Sequence, residues 1–240
     1  MAAAPHRLKP ERKIGPVLAA LAERYGPKVL SPREPLAVLI RGILSQNTSD
    51  TNSGRAYDAL MAEFGDWAGV AAASQSQIAR AIVSGGLADQ KAQTIRTVMQ
   101  WLGERERDTR SSAAYSRAAY SLDFLDGLDS AEAERTLTQF KGVGIKTARL
   151  TLLFGLGRPV FVVDTHVHRV SRRLGLIPPK CGRDKAHDVL DALIPDDQTY
   201  SGHMNIIEHG RRTCRSRSPL CDACCVRRWC LYVRISPATG

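Results

Sequence analysis

Long hydrophobic runs are missing from this chain. No apolar stretch in it approaches the roughly 18 residues that a membrane-spanning helix needs. Its N-terminus, MAAAPHRLKPERK, has no apolar core of the kind a secretory signal carries. Strand-like runs are scarce as well: PVFVVD (159–164) is continuous and β-branched, but too short to imply a sheet. There is no internal repeat and no low-complexity tract, which excludes solenoids and biased, unfolded segments. Acid is in deficit too, with 24 Asp and Glu against 34 Lys and Arg, a formal charge of +10. An excess of that size favours a polyanionic partner, nucleic acid before membrane. These absences predict a soluble intracellular monomer in the cytoplasm, close to the nucleoid.

What is present is helix-forming sequence. Hydrophobic residues make up 43% of the 240, enough for a packed core in one large domain or two small ones. Residues 15–26 place Val17, Leu18, Leu21 and Ala22 on one helical stripe, and Gly26-Pro27 stops it. Residues 34–46 are apolar nearly all round, the pattern of a buried helix. Further helices are predicted over 49–65, 74–86 and 87–103, the last with Ile95, Val98, Met99 and Leu102 at helical spacing. The charged stretch 104–112 reads as an exposed loop or a solvated helix end. Residues 129–140 open on capping residues followed by Glu. Helices over 146–155, 164–175, 184–195 and 198–213 complete an all-α chain of about ten helices.

Three motifs carry chemistry. In FKGVGIKTA (140–148), Gly142-Val143-Gly144 permits a tight turn with positive φ at either glycine. The helix that follows points backbone N–H groups out of the turn, an arrangement that binds phosphate without reading a base. Lys141 and Lys146 add charge, and a neutral amine at Lys146 can attack a sugar carbon to form a Schiff base. The plain alternative for Lys146 is a surface lysine near a phosphate. Asp164 follows the extended FVV and stands where an N-cap is expected. A cap that uses one carboxylate oxygen can present the other to a positive charge developing at C1′, or to a proton.

The third motif is C-x6-C-x2-C-x5-C, formed by Cys214, Cys221, Cys224 and Cys230. In a reducing compartment clustered cysteines point to metal or redox chemistry before disulfides. Four thiolates in one segment can surround a [4Fe-4S] cluster or a zinc ion. Zinc sites more often use two C-x2-C pairs far apart, so the spacing leans towards iron–sulfur and leaves zinc open. Cys225 is able to replace its neighbour Cys224, although the register of four favours Cys224; Cys181 is expected as a free thiol. Arg211, Arg212, Arg215, Arg217, Arg227 and Arg228 surround the motif, either as phosphate contacts or as a solvated basic face.

Taken in order, GVGIKTA (142–148), VDTHVHRV (163–170) and the cysteine pattern resemble the endonuclease III family of base-excision DNA glycosylases, within the helix-hairpin-helix–GPD superfamily. LIRGILSQNTSD (39–50) and GGLADQKA (85–92) are similar to further family segments, and the resemblance runs from about residue 15 to 232. It implies two α-helical domains with DNA in the cleft between them. One is a six-helix barrel over 30–157; the other, discontinuous, joins 1–29 to 158–240 and holds a [4Fe-4S] cluster on Cys214, Cys221, Cys224 and Cys230. It implies Lys146 as catalytic lysine and Asp164 as catalytic aspartate. The implied activity is bifunctional: removal of oxidised pyrimidines from duplex DNA, then nicking 3′ to the abasic site by β-elimination. Gly142, Val143, Gly144, Arg215 and Arg217 are the implied DNA contacts. Either Gln46 or Asn47 fills the gap left by the flipped base, Leu87 inserts on the opposite strand, and His166 is a pocket residue near the aspartate, with His168 on the helix surface. The segment 101–130 is longer than in the shortest family members, and SQNTSD replaces a commoner SAQATD-like stretch. Two alternatives stand beside this. One is a monofunctional mismatch uracil/thymine DNA glycosylase, in which Asp164 activates water and Lys146 is incidental. The other is a non-catalytic DNA-binding protein that keeps the hairpin.

Overall fold

The computed structural model describes residues 4–109 and 120–235. Among these residues the chain is all helix, with no strand, and no helix is long and apolar enough to cross a membrane. The helices are α1 (Pro10–Tyr25), α2 (Pro35–Leu44), α3 (Asp50–Phe64), α4 (Trp67–Ala72), α5 (Gln75–Ala81), α6 (Ala88–Thr109), α7 (Ser130–Thr138), α8 (Ile145–Leu156), α9 (Thr165–Leu174), α10 (Arg183–Asp191), α11 (Thr199–Arg212) and α12 (Tyr232–Ile235). They fall into two compact units, Pro32–Arg158 and Met1–Ser31 with Pro159–Gly240.

In the unit Pro32–Arg158, α2 is the spine. Apart from the exposed Arg41 it is apolar throughout, and Leu36, Leu39, Ile40, Ile43 and Leu44 are fully buried where α3, α6 and α8 pack on it. Two glycines let α2 and α8 approach closely. A Cβ on Gly42 would lie 2.8 Å from Thr147 Cγ2, and a Cβ on Gly155 would lie 2.8 Å from Pro35 Cα, at the other end of the pair. The two helices therefore run antiparallel, and Arg33 N donates to Phe154 O at 2.9 Å. Local sequence sets the helix starts. Ser49 caps α3, Ser74 and Gln77 form a capping box on α5, and Asp129 and Glu132 form one on α7.

Residues 74–86 do not form one helix: α5 stops at Ala81 and a 3-10 turn, Val83–Gly85, follows. The short α4, capped by Asp66, was not foreseen, because six residues are too few to show an apolar stripe. The charged stretch 104–112 begins as helix, since α6 reaches Thr109; residues 110–119 lie outside the described residues.

The second unit packs α1, α9, α10, α11 and α12 around Val17, Leu21, Phe161, Val167, Val170 and Ile206. Helix α1 starts at Pro10, earlier than predicted, with proline at a first-turn position that has no N–H to satisfy. The extended run 160–163 is buried without a neighbouring strand. Side chains satisfy its backbone instead: Asp191 Oδ1 accepts from Phe161 N at 2.5 Å, and His203 Nδ1 lies 3.0 Å from Val162 O. Lys13 is 1% exposed and donates Nζ to Leu174 O at 2.7 Å, closing the C-terminal end of α9.

Candidate functional site

The hairpin α7–turn–α8 is built around one obligatory glycine. Gly142 has φ +98°, and a Cβ there would sit 2.3 Å from Thr94 Oγ1. Gly144 has φ −92° and nothing within 4 Å of a Cβ, so only the first glycine of the pair is conformationally required. Phe140 and Val143 are buried and anchor the turn. Thr94 Oγ1 lies 3.1 Å from Lys141 O, and Gln46 Nε2 donates to Gly142 O at 2.7 Å. Arg149, buried in α8, donates Nε to Glu134 Oε2 of α7 at 2.6 Å and joins the two helices.

Gly144 is the N-cap of α8 and offers no side chain, so no side chain caps the first turn. Lys146 lies in that turn and is exposed, while its neighbours Thr147 and Ala148 are buried. A pocket of about 200 Å³ runs between α2 and α8, lined by Arg33, Val38, Arg41, Gly42, Ser45, Leu150 and Phe154. Leu150 is one helical turn beyond Lys146 on the same face of α8. Arg41 Cζ stacks 3.5 Å from the ring centre of Tyr57 at the pocket edge.

Four non-glycine residues among those described have clearly left-handed backbone: Asn47, Leu87, Tyr120 and Ser218. Three of them fall in segments that the sequence ties to DNA. Gln46 and Asn47 differ in setting. Gln46 is half-buried and bonded to the hairpin, whereas Asn47 is exposed with φ 52°. Leu87 is 48% exposed with φ 51°, directly after Gly86 at φ 68°.

In the other unit Asp164 is the N-cap of α9: its Oδ1 accepts from Val167 N at 2.7 Å, leaving Oδ2 outside the cap. His166 turns to Arg169, with Nδ1 3.1 Å from Nη2, and packs on Gly210 of α11. His168 is not a surface residue as expected; it is half-buried, its Nε2 2.8 Å from Cys181 O.

All the described cysteines are free of disulfides. Burial pushes the Cys224 thiol up to about 12, and the neighbouring Cys225, Cys230 and Cys214 oppose its ionisation further. Burial also raises Cys230, with Cys214 and Cys221 beside it. The four sulfurs of the motif are thus electrostatic neighbours. Cys225 differs from Cys230 in having Arg24 and Glu23 of α1 as charged neighbours, with neither Cys214 nor Cys221 among the groups acting on it. Arg173 Nη1 donates to Cys214 Sγ at 3.3 Å and to Arg215 O at 2.7 Å, and Nη2 donates to Ser216 O at 3.1 Å. Arg169 Nε donates to Cys214 O at 2.9 Å. Arg215 and Arg217 are exposed in the loop so held. Among the described residues no three His, Cys, Asp or Glu side chains converge tightly enough to hold one metal ion. Burial opposes ionisation at Cys224 and Cys230 until a cationic centre stands beside them, and the all-cysteine donor set Cys214, Cys221, Cys224 and Cys230 fits a [4Fe-4S] group.

Several residues that shape the site had no sequence signal. Thr94 and Thr147 read as ordinary helical threonines, and Arg173 as one more surface cation. Lysine is so seldom buried that nothing marks Lys91, which is 3% exposed.

Residues 40–196 match the HhH-GPD superfamily base excision DNA repair protein family. An endonuclease III of Thermotoga maritima is 30% identical over 201 residues, covering 84% of this chain and 84% of that one. A protein of Arabidopsis thaliana, provisionally named a DNA glycosylase, is 35% identical over 173 residues. That match covers 72% of this chain and 55% of the plant protein, so the chain spans about half the length of that relative. A solved endonuclease III in a non-covalent complex with DNA has the same fold, with TM-score 0.74 and 24% identity over 93% of this chain and 96% of that one.

Proposed function

Because the chain belongs to the HhH-GPD superfamily of base excision DNA repair proteins, we propose that it is an endonuclease III-like DNA glycosylase with lyase activity. In this proposal it removes oxidised pyrimidines from duplex DNA and nicks the strand 3′ to the abasic site. The observation that carries the lyase half is Lys146: an exposed amine in a first turn that no side chain caps, one turn from the pocket between α2 and α8.

The hairpin turn and the first turn of α8 take a phosphate through backbone N–H groups, a contact blind to sequence. Asn47 and Leu87 enter the base stack as the damaged nucleotide swings out. The pocket of about 200 Å³ receives a single ring, and Arg33 and Arg41 offer donors to its carbonyl oxygens. The Lys146 amine attacks C1′. The bond from C1′ to the base breaks, its electron pair leaves with the base, and the base takes up a proton. Asp164 supplies negative charge to the cationic C1′ and assists proton transfer from the amine. The nitrogen lone pair then opens the C1′–O4′ bond, O4′ takes up a proton, and the resulting imine acidifies C2′; loss of the C2′ proton expels the 3′ phosphate, and water then hydrolyses the imine to release the lysine.

Cys214, Cys221, Cys224 and Cys230 would hold a [4Fe-4S] cluster whose contribution is structural. Around it this chain's own groups do the work: Arg169 and Arg173 fix the loop that presents Arg215 and Arg217 to phosphate.

Borohydride trapping on a duplex with one abasic site tests the reading. Wild type should give a covalent adduct and Lys146→Ala none, with DNA binding nearly intact in both. Base release by wild type without any adduct would remove the nucleophile and leave a monofunctional glycosylase in which Asp164 activates water.

A further inference from the structure

We propose that Lys91 is a positioning residue, a buried cation that clamps two turns together so that Asn47 and Leu87 enter DNA as one rigid wedge. The inference rests on the reading that this chain opens duplex DNA at a lesion.

Lys91 lies in the first turn of α6. Its Nζ donates to Leu44 O at 2.7 Å and to Gly85 O at 2.8 Å. Leu44 ends α2, so the ammonium sits at the negative end of that helix. Gly85 ends the 3-10 turn, and a Cβ there would be 3.1 Å from Ala56 Cβ, so glycine lets the turn come this close. Burial pulls the amine's pKa down and so opposes the charge, a cost that the two accepting carbonyl oxygens and the helix end offset.

Both acceptors stand just before a strained residue. Asn47 comes three residues after Leu44 with φ 52°, and Leu87 two after Gly85 with φ 51°. Left-handed backbone on residues with side chains persists only where the surroundings dictate it. Here one ammonium fixes a carbonyl three residues before the first and another two residues before the second. Val83, 69% exposed, and Leu87, 48% exposed, make an apolar tip on the clamped turn. The hairpin joins the same scaffold. Thr94, one turn along α6, contacts Lys141 O, and Gln46 donates to Gly142 O. A lysine placed only for stability would weaken the fold if removed. A clamp on the wedge predicts something more selective: loss on substrates whose stack must be opened, and none where there is no stack.

The test compares strand nicking at an abasic site in a duplex and in the same single-stranded oligonucleotide, using full-length, cluster-containing protein. Lys91→Met and Lys91→Gln are assayed beside wild type, with thermal midpoints recorded. Lys91→Met should lower the duplex-to-single-strand rate ratio about tenfold, with the single-strand rate within about twofold of wild type. Lys91→Gln, which keeps one donor, should fall between. The pair Asn47→Ala/Leu87→Ala should lower the ratio similarly, and adding Lys91→Met to it should cost nothing more. Parallel loss on both substrates, an unchanged ratio, an additive loss, or failure of both lysine variants to fold would each overturn the proposal. Wild type that nicks neither substrate would instead sink the lyase reading, and this inference with it.

Discussion

Replacing Gly142 by alanine should destabilise the Pro32–Arg158 unit by about 3 kcal/mol, from two separable costs. The first is conformational. At φ +98° a residue with a Cβ sits well outside the left-handed minimum, a strain of about 1–3 kcal/mol. The second is steric. The new Cβ would stand 2.3 Å from Thr94 Oγ1 and 3.1 Å from its Cγ2, and Thr94 is buried in α6 with little room to turn. Thr94 must rotate and give up Lys141 O, a loss of about 1 kcal/mol. For a chain of this length the sum corresponds to a midpoint lowered by about 6–12 °C. Thermal and guanidinium unfolding measure it, with Gly144→Ala as the internal control. That glycine has φ −92° and open space, so its change should cost less than about 1 kcal/mol, the difference between glycine and alanine at an N-cap. In a Thr94→Ala background the Gly142 substitution should cost about two-thirds as much, because the backbone strain remains and the bond to Lys141 O is no longer there to lose. Equal costs at the two glycines, or the same cost in both Thr94 backgrounds, would refute the reasoning.

Two further outcomes follow from the second unit. Cys221→Ser should abolish the visible absorption and iron content of the purified protein and make residues after Thr213 sensitive to protease, whereas Cys225→Ser should leave the spectrum intact; an unchanged spectrum for Cys221→Ser would remove it from the ligand set. Glu208 accepts from Arg212 Nη1 at 2.7 Å and pairs with Lys28 Nζ at 3.1 Å, and these partners, Arg212 first, hold its carboxyl below the ordinary value of 4.5. A lowered carboxyl stabilises the fold above its ordinary range, and that contribution drains as pH falls through the lowered value. Wild type should therefore lose stability faster than Glu208→Gln between about pH 5 and pH 3, by under about 1 kcal/mol because the pair is partly exposed. Superimposable acid limbs for the two proteins would contradict it.

Much of the helical layout was legible because local chemistry agrees with it. Ser49 and Gly65 bound α3, Asp129 and Glu132 form the predicted box on α7, and Asp164 and Gly175 mark the ends of α9. The burial of α2 followed from its composition alone. The errors have physical causes. Glycine pairs stop helices, but nothing in residues 74–86 tells an α-helix from one that tightens into a 3-10 turn before the glycines. A turn with two glycines did not disclose which one carries positive φ; Thr94, distant in sequence, decides it by approaching Gly142. Gln46 and Asn47 were equivalent on paper, and only a tertiary bond to Gly142 O separates them. The lesion preference was out of reach for the same reason, since the pocket walls come from α2 and α8, more than a hundred residues apart in the chain.

The pairing of α2 with α8 has a consequence for how Lys146 tolerates change. Its helix is held by two near-backbone contacts, Gly42 with Thr147 and Gly155 with Pro35, one at each end. Two such points remove both sliding and rolling. A slip of one residue would swing the amine by about 100° around the helix axis. Leucines and isoleucines between those points can be exchanged, and the core can drift, while the lysine keeps its bearing. The two glycines act as a gauge block: hydrophobic packing supplies the force, and backbone contact sets the distance at which it stops.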